Sequence, residues 1–173
     1  DTVNTMTPGS YTVKYNAIDS HGNLANEVVR TVFVVDTSGP VISLIGDGTI
    51  VHEAGTEYTD TGAQASDIVG GDVSGAITVT GVVDVMVPGE YQLVFSAKDS
   101  RDNEANTVVR LVQVVDTTKP EITLAGAVVV EQEAKVPYVD LGVSASDTLD
   151  ASLTVAVDTS AVNVNAVGSY TVT

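Results

Sequence analysis

The feature that most constrains this chain is that it repeats itself. Residues 8–36 read PGSYTVKYNAIDSHGNLANEVVRTVFVVD and residues 88–116 read PGEYQLVFSAKDSRDNEANTVVRLVQVVD, with sixteen of twenty-nine positions identical at an offset of eighty. The same offset carries Pro40 to Pro120, Tyr58 to Tyr138, Asp60 to Asp140, Gly62 to Gly142 and Asp67 to Asp147. Tyr11 recurs as Tyr91 and, one residue early, as Tyr170. Self-similarity at a fixed period marks an array of like units. The expected division is the C-terminal part of one unit over 1–37, a complete unit over 38–116 and the N-terminal part of a third over 117–173. Neither chain end is expected to fall at a domain boundary.

Composition says what kind of unit repeats. Hydrophobic residues make up 43% and charged ones 17%, so the chain can build cores despite a net charge of −16. Val dominates the apolar set and Thr is abundant, a strand-forming composition. No apolar run approaches the ~20 residues of a membrane-spanning helix. Cysteine is absent, which rules out disulfides and thiolate metal sites without fixing a compartment.

The complete unit reads as short strands separated by turns. Val41–Ile45 follows Pro40 and ends at Gly46-Asp47-Gly48, and Thr49–Glu53 ends at Ala54-Gly55. Tyr58–Ser66 reads as a third segment bent at Gly62; Ala76–Thr80 and Val82–Val87 follow a polar loop. From Tyr91 the apolar set Tyr91, Leu93, Phe95, Ala97 alternates with Gln92, Val94, Ser96, Lys98, the period of a half-buried strand. The turn Ser100–Asn103 then leads to a long strand over Ala105–Val115. This spacing predicts an all-β sandwich of about seven strands per unit. Pro-Gly-x-Tyr at Tyr11 and Tyr91 fits a tyrosine corner, whose hydroxyl bonds back to nearby backbone. Arg110 is the misfit, because it shares the inner parity of Val112 and Val114. Either a bulge flips the register, or Arg110 reaches the rim and pairs with a carboxylate. Arg30 repeats the problem.

Pro40-Val41-Ile42 with Leu44 and Gly46, Tyr58-x-Asp60-x-Gly62, Asp67, Ala97-x-Asp99-Ser100, Asn103 and Arg110-x-Val112-x-Val114-Val115-Asp116 together resemble the bacterial immunoglobulin-like repeat of insecticidal crystal proteins and large bacterial surface proteins, a relative of the hyalin repeat. The resemblance implies tandem immunoglobulin-like β-sandwiches of about 80 residues, secreted or displayed on a bacterial cell surface. It implies a spacing, adhesive or accessory role and no catalytic residue. Two departures stand out: Arg101-Asp102 replaces the Gly22 type of turn, and the third unit reads Asp147-Thr148-Leu149-Asp150 where the second has a longer loop.

In such a sandwich, the strand entering from one unit lies at the same end as two loops of the next. Asp36 is therefore expected near Asp67, Asp72, Asp99, Asp102 and Asn103. The next junction offers Asp116, Asp147 and Asp150. Oxygen ligands of this kind suit Ca²⁺, and without a cation crowded carboxylates repel and raise one another's pKa. Turn chemistry is the competing explanation, because Asp and Asn are ordinary turn formers.

Other chemistries fit poorly. Only His21 and His52 are available for a hydrolytic triad, and neither position recurs as His. Gly70-Gly71 lacks the following GK[ST] of a phosphate loop. Seven basic against twenty-three acidic residues disfavour nucleic acid. The expected function is a non-catalytic stalk, adhesin segment or surface fibre, an end-to-end rod whose partners are neighbouring repeats and a host or surface ligand. The alternative is a carbohydrate- or receptor-binding accessory module of a secreted enzyme or toxin. Against a sugar-stacking platform, Trp is absent and only Phe33 is a large aromatic on an outward position.

Overall fold

The computed structural model describes residues 2–173, in eleven strands with one 3-10 turn at Ser74–Ala76. The strands are β1 (Gly9–Tyr15), β2 (Val28–Val34), β3 (Val41–Leu44), β4 (Thr49–Glu53), β5 (Ala63–Asp67), β6 (Gly71–Asp72), β7 (Thr78–Thr80), β8 (Gly89–Ser96), β9 (Val108–Val115), β10 (Glu121–Leu124) and β11 (Val143–Ser146). They form four sheets, ordered β1-β2, β3-β5-β6, β4-β9-β8-β7 and β10-β11. Residues 38–116 thus hold seven strands, three in one sheet and four in another, consistent with an immunoglobulin-like sandwich. Among the described residues no helix is long and apolar enough to cross a membrane.

The chain gathers into two compact units. The first takes the chain up to Ile50 together with Tyr58–Val83 and Glu90–Gln113. Its buried apolar side chains come from alternate positions. Ile42 faces Ala65 across the β3–β5 ladder, while Leu93, Phe95 and Ala97 come from β8 and its extension, and Val112 from β9. Phe95 and Val112 are fully buried. The alternation along β8 is the one the sequence predicts, because only that parity puts its bulky side chains away from water. The second unit, Val51–Glu57, Asp84–Gly89 and Val114–Thr173, buries Ala54 and Val114 and contains the β10–β11 pair.

Elements recur with the sequence. β1 and β8 begin eighty residues apart, as do β2 and β9, β3 and β10, and β5 and β11. Local bonds recur too. The Tyr58 hydroxyl donates to Asp60 Oδ2 at 2.9 Å and Tyr138 to Asp140 at 2.8 Å, with Gly62 N–H and Gly142 N–H each 2.7 Å from the other carboxylate oxygen. The Tyr11 hydroxyl donates to the Thr7 carbonyl at 2.7 Å and Tyr170 to Ala166 at 3.0 Å, each four residues back. These are the bonds of a tyrosine corner.

Four expectations need correction. Gly71–Asp72, expected within the polar loop before Ala76, forms the short strand β6 paired with β5. Tyr58–Gly62 is not strand: the Asp60 carboxylate ties up the Gly62 amide and Gly62 takes φ 79°, so pairing starts only at Ala63. Val82–Val87, expected as a strand, instead forms a turn, with Asp84 accepting from the Met86 and Val87 amides at 3.0 and 3.3 Å. The long strand begins at Val108, not Ala105.

Arg110 stays in register, and no bulge flips it. It is fully buried on the face shared by Val112 and Val114. Its guanidinium donates through Nη1 to Asp60 Oδ2 at 2.5 Å, through Nε to the Asp47 carbonyl at 3.0 Å, and through Nη2 to the carbonyls of Ile45 and Gly62 at 2.6 and 3.2 Å. A buried charge persists only when paired and hydrogen-bonded, and this set meets that condition. The guanidinium carbon also lies 5.6 Å from the Phe95 ring centroid, as that of Arg30, which is exposed, does over Tyr15.

Candidate metal centre

The acidic site is built on the hairpin joining β8 to β9. Asp99 Oδ1 accepts the amides of Arg101 and Asn103, both at 2.8 Å, and its Oδ2 accepts from Asn103 Nδ2 at 2.7 Å. Asp19 and Asn23 make the same turn in the β1–β2 hairpin, with distances of 2.9 Å to the His21 amide and 2.8 Å to Asn23 N and Nδ2. Desolvation pushes the Asp99 carboxyl up, but the bonds from Asn103 and Arg101 outweigh it and hold its pKa below the ordinary carboxylate value. The turn is therefore self-sufficient. Its two copies account for Asp99 and Asn103 without any ion.

Two further carboxylates converge on it. Asp36, just past β2, is held where its carbonyl accepts from Asn103 Nδ2 at 3.3 Å and its Oδ2 lies 3.4 Å from Arg101 Nη1. Its side chain is 2% exposed. Gly39 keeps this segment close, since a Cβ there would sit 1.9 Å from the Glu104 carbonyl oxygen. Asp67, at the end of β5, is buried and spends Oδ1 on the amides of Val69 and Gly70, at 2.9 and 2.6 Å. One carboxylate oxygen from each of Asp36, Asp67 and Asp99 lies within 4.8 Å of the other two. Among the described residues this is the only such group of three acidic or imidazole side chains.

The other residues expected there do different work. Asp72 is exposed, and its Oδ1 accepts from the Ser74 amide and hydroxyl at 2.9 and 2.7 Å, which lowers its pKa. Asp102 is exposed at φ 64°, in the position that Gly22 fills at φ 87°. Of the second set, Asp116 accepts from Thr118 N–H at 3.2 Å and Asp147 from Leu149 and Asp150 N–H at 2.9 and 3.1 Å. Each is a local turn bond, and Asp116, Asp147 and Asp150 form no group of three.

Sequence reasoning missed Glu53. At the end of β4, its carboxylate accepts from the Thr117 amide and hydroxyl at 2.9 and 2.6 Å, and from the Thr118 amide and hydroxyl at 3.1 and 2.7 Å. The Thr117 bonds first, then those of Thr118, lower its pKa to about 2. The available signal was its recurrence as Glu133. Both histidines have neighbouring polar partners. His21 Nδ1 lies 3.3 Å from Ser20 Oγ, but Asp19 takes the His21 backbone amide and not its ring. His52 Nε2 lies 3.1 Å from both the hydroxyl and the carbonyl of Thr56.

No curated protein matches significantly. Solved structures with similarity include a lipoprotein from Bacteroides thetaiotaomicron, at 32% identity and TM-score 0.41 over 46% of this chain and 39% of the other. The CBM51-2 and INT domains of Clostridium perfringens ZmpB, in complex with GlcNAc, match at 20% identity and TM-score 0.37 over 55% of this chain and 22% of the other. The ZmpB M60 catalytic domain with its CBM51-1 and CBM51-2 domains matches at 23% identity and TM-score 0.34, over 76% of this chain and 13% of the other. This chain thus spans well under half of each. The profile of the family described as bacterial surface protein, Ig-like domain, matches residues 1–34 and 42–114, and the chain belongs to that family.

Proposed function

We propose that the chain is a non-catalytic structural or adhesive segment of a bacterial surface protein, built of tandem immunoglobulin-like repeats over 1–37, 38–116 and 117–173. The observation that carries this reading is the eighty-residue recurrence of strands together with their turn bonds, β1 with β8, β2 with β9, β3 with β10 and β5 with β11. A chain that spends its length on copies of one scaffold multiplies reach or display, and a reaction centre needs no such copying. Domains of the immunoglobulin-like kind generally serve as accessory modules, which agrees with this reading.

The repeats are proposed to join end to end. The intervening stretches, Asp36-Thr37-Ser38-Gly39 and Asp116-Thr117-Thr118-Lys119, are four residues each. A sandwich about 25–35 Å along its strands cannot fold back over so short a connection. Small-angle scattering of the 173-residue protein tests the arrangement. An elongated distance distribution is expected, and a compact one overturns the rod. A glycan array probed with the same protein tests the role: the structural reading expects no saturable binding, and a specific glycan hit replaces it with the accessory-module reading.

A further inference from the structure

The cluster of Asp36, Asp67 and Asp99 holds one oxygen with nothing to bind. Asp67 Oδ2 is buried and has no hydrogen-bond partner, in a residue only 8% exposed. Leaving a carboxylate oxygen unpaired away from water is costly, and native structures rarely tolerate it without an ion, a water or a proton. The neighbouring protein donors are already committed. Val69 and Gly70 amides serve Oδ1 of the same carboxylate, Asn103 serves Asp99 and the Asp36 carbonyl, and Arg101 reaches Asp36 Oδ2.

Charge gives the same answer independently. Three ionised carboxylates carry three negative charges, and Arg101, itself largely exposed, contributes one positive. The remainder equals the charge of one divalent ion. We propose that Asp36, Asp67 and Asp99 bind a single hard divalent cation of the Ca²⁺ class, with Asp67 Oδ2 as its innermost ligand and water completing the shell. Ligand chemistry favours Ca²⁺ over Mg²⁺, because Ca²⁺ accepts irregular oxygen sets whereas Mg²⁺ demands near-ideal octahedral geometry and gives up its water reluctantly. Three protein ligands are few for Ca²⁺, so the affinity belongs to the weak class of extracellular modules, with Kd on the order of 10⁻⁴–10⁻³ M. Such a site fills at the calcium level outside a cell and stays empty inside one. Asn103 orients Asp99 and Asp36 and is a positioning residue, while Arg101 competes with the ion for Asp36.

The test uses the 173-residue protein, stripped with EDTA and titrated with CaCl₂ or MgCl₂ by calorimetry in NaCl buffer, with melting curves alongside. Ca²⁺ should bind saturably at one site, about tenfold or more tighter than Mg²⁺, and raise the melting temperature. Asp67→Asn keeps the Oδ1 acceptor for Val69 and Gly70, so it should fold by circular dichroism yet lose at least tenfold in Ca²⁺ affinity. Asp36→Asn should do the same and guards against a folding defect in the first variant. Arg101→Gln removes the competing cation and should tighten binding several-fold. Glu57→Gln, an exposed acid outside the cluster, should change nothing. An absence of saturable heat up to about 10 mM Ca²⁺ would overturn the site. So would an equal Ca²⁺ response in wild type and both cluster variants, which would assign the ion to the diffuse negative surface.

Discussion

At the scale of single residues, two positions show how a repeat drifts while its backbone is kept. Gly22 and Asp102 occupy the same place in the two hairpins and both lie in the left-handed region, at φ 87° and 64°. Glycine reaches that conformation freely, whereas a residue with a Cβ does so at a cost. Asp102→Gly is therefore expected to stabilise the protein by about 0.5–1 kcal/mol, read as a shifted urea midpoint at constant slope. If Asp102 were instead a ligand, the substitution would lose stability in Ca²⁺. Arg110 marks the opposite extreme, a position that cannot drift. Arg110→Met would leave the Asp60 carboxylate and the carbonyls of Ile45, Asp47 and Gly62 facing an apolar side chain. The expected loss is about 3–5 kcal/mol in chemical unfolding, because breaking a buried pair strands the charge left behind. A loss under about 1 kcal/mol would mean that water replaces the guanidinium.

At the scale of elements, Glu53 ties the end of β4 to Thr117 and Thr118, and its titration makes the tie visible. Its folded pKa of about 2 lies below the ordinary Glu value of 4.5, so the charged form is the one that folding favours. The stabilisation is fully present above pH 4.5 and disappears as pH falls through about 2. Glu53→Gln should lower the melting temperature at pH 7 and remove most of the wild type's advantage by pH 2. A difference unchanged across that window would dismiss the tie. Much of the fold at this level was legible: the β8 alternation, six of the seven strands over 38–116 and the meeting of Asp36, Asp67 and Asp99 follow from strand period and sandwich topology, whereas Gly71–Asp72 was expected as loop. What was not legible depends on competition between a side chain and the ladder. Val82–Val87 is apolar enough for a strand, yet Asp84 captures the amides that pairing would need. Asp72 looks like a ligand until Ser74 is seen to occupy it. The depth of Arg110 could not be read either, since beside the Asp60 carboxylate its partners are three backbone carbonyls whose convergence no side-chain pattern records.

At the scale of the whole molecule, charge is the dominant unspent energy. Twenty-three acidic residues face seven basic ones, leaving −16 on a chain of 173 residues. Exposed pairs such as Lys14–Glu27 at 3.1 Å and Lys98–Glu104 at 3.0 Å offset little of this, because water and salt screen exposed ion pairs. Self-repulsion among the remaining acids should therefore govern the response to salt. The screening length falls from about 30 Å at 0.01 M to about 8 Å at 0.15 M, which silences most long-range pairs. The melting temperature is accordingly expected to rise with NaCl over that range, and a fall would mean that the ion pairs outweigh the repulsion. Calcium at matched ionic strength separates screening from binding. Wild type should gain a further increment beyond NaCl, while Asp67→Asn keeps the screening rise and loses that increment. An increment that survives in Asp67→Asn would trace it to the acidic surface as a whole.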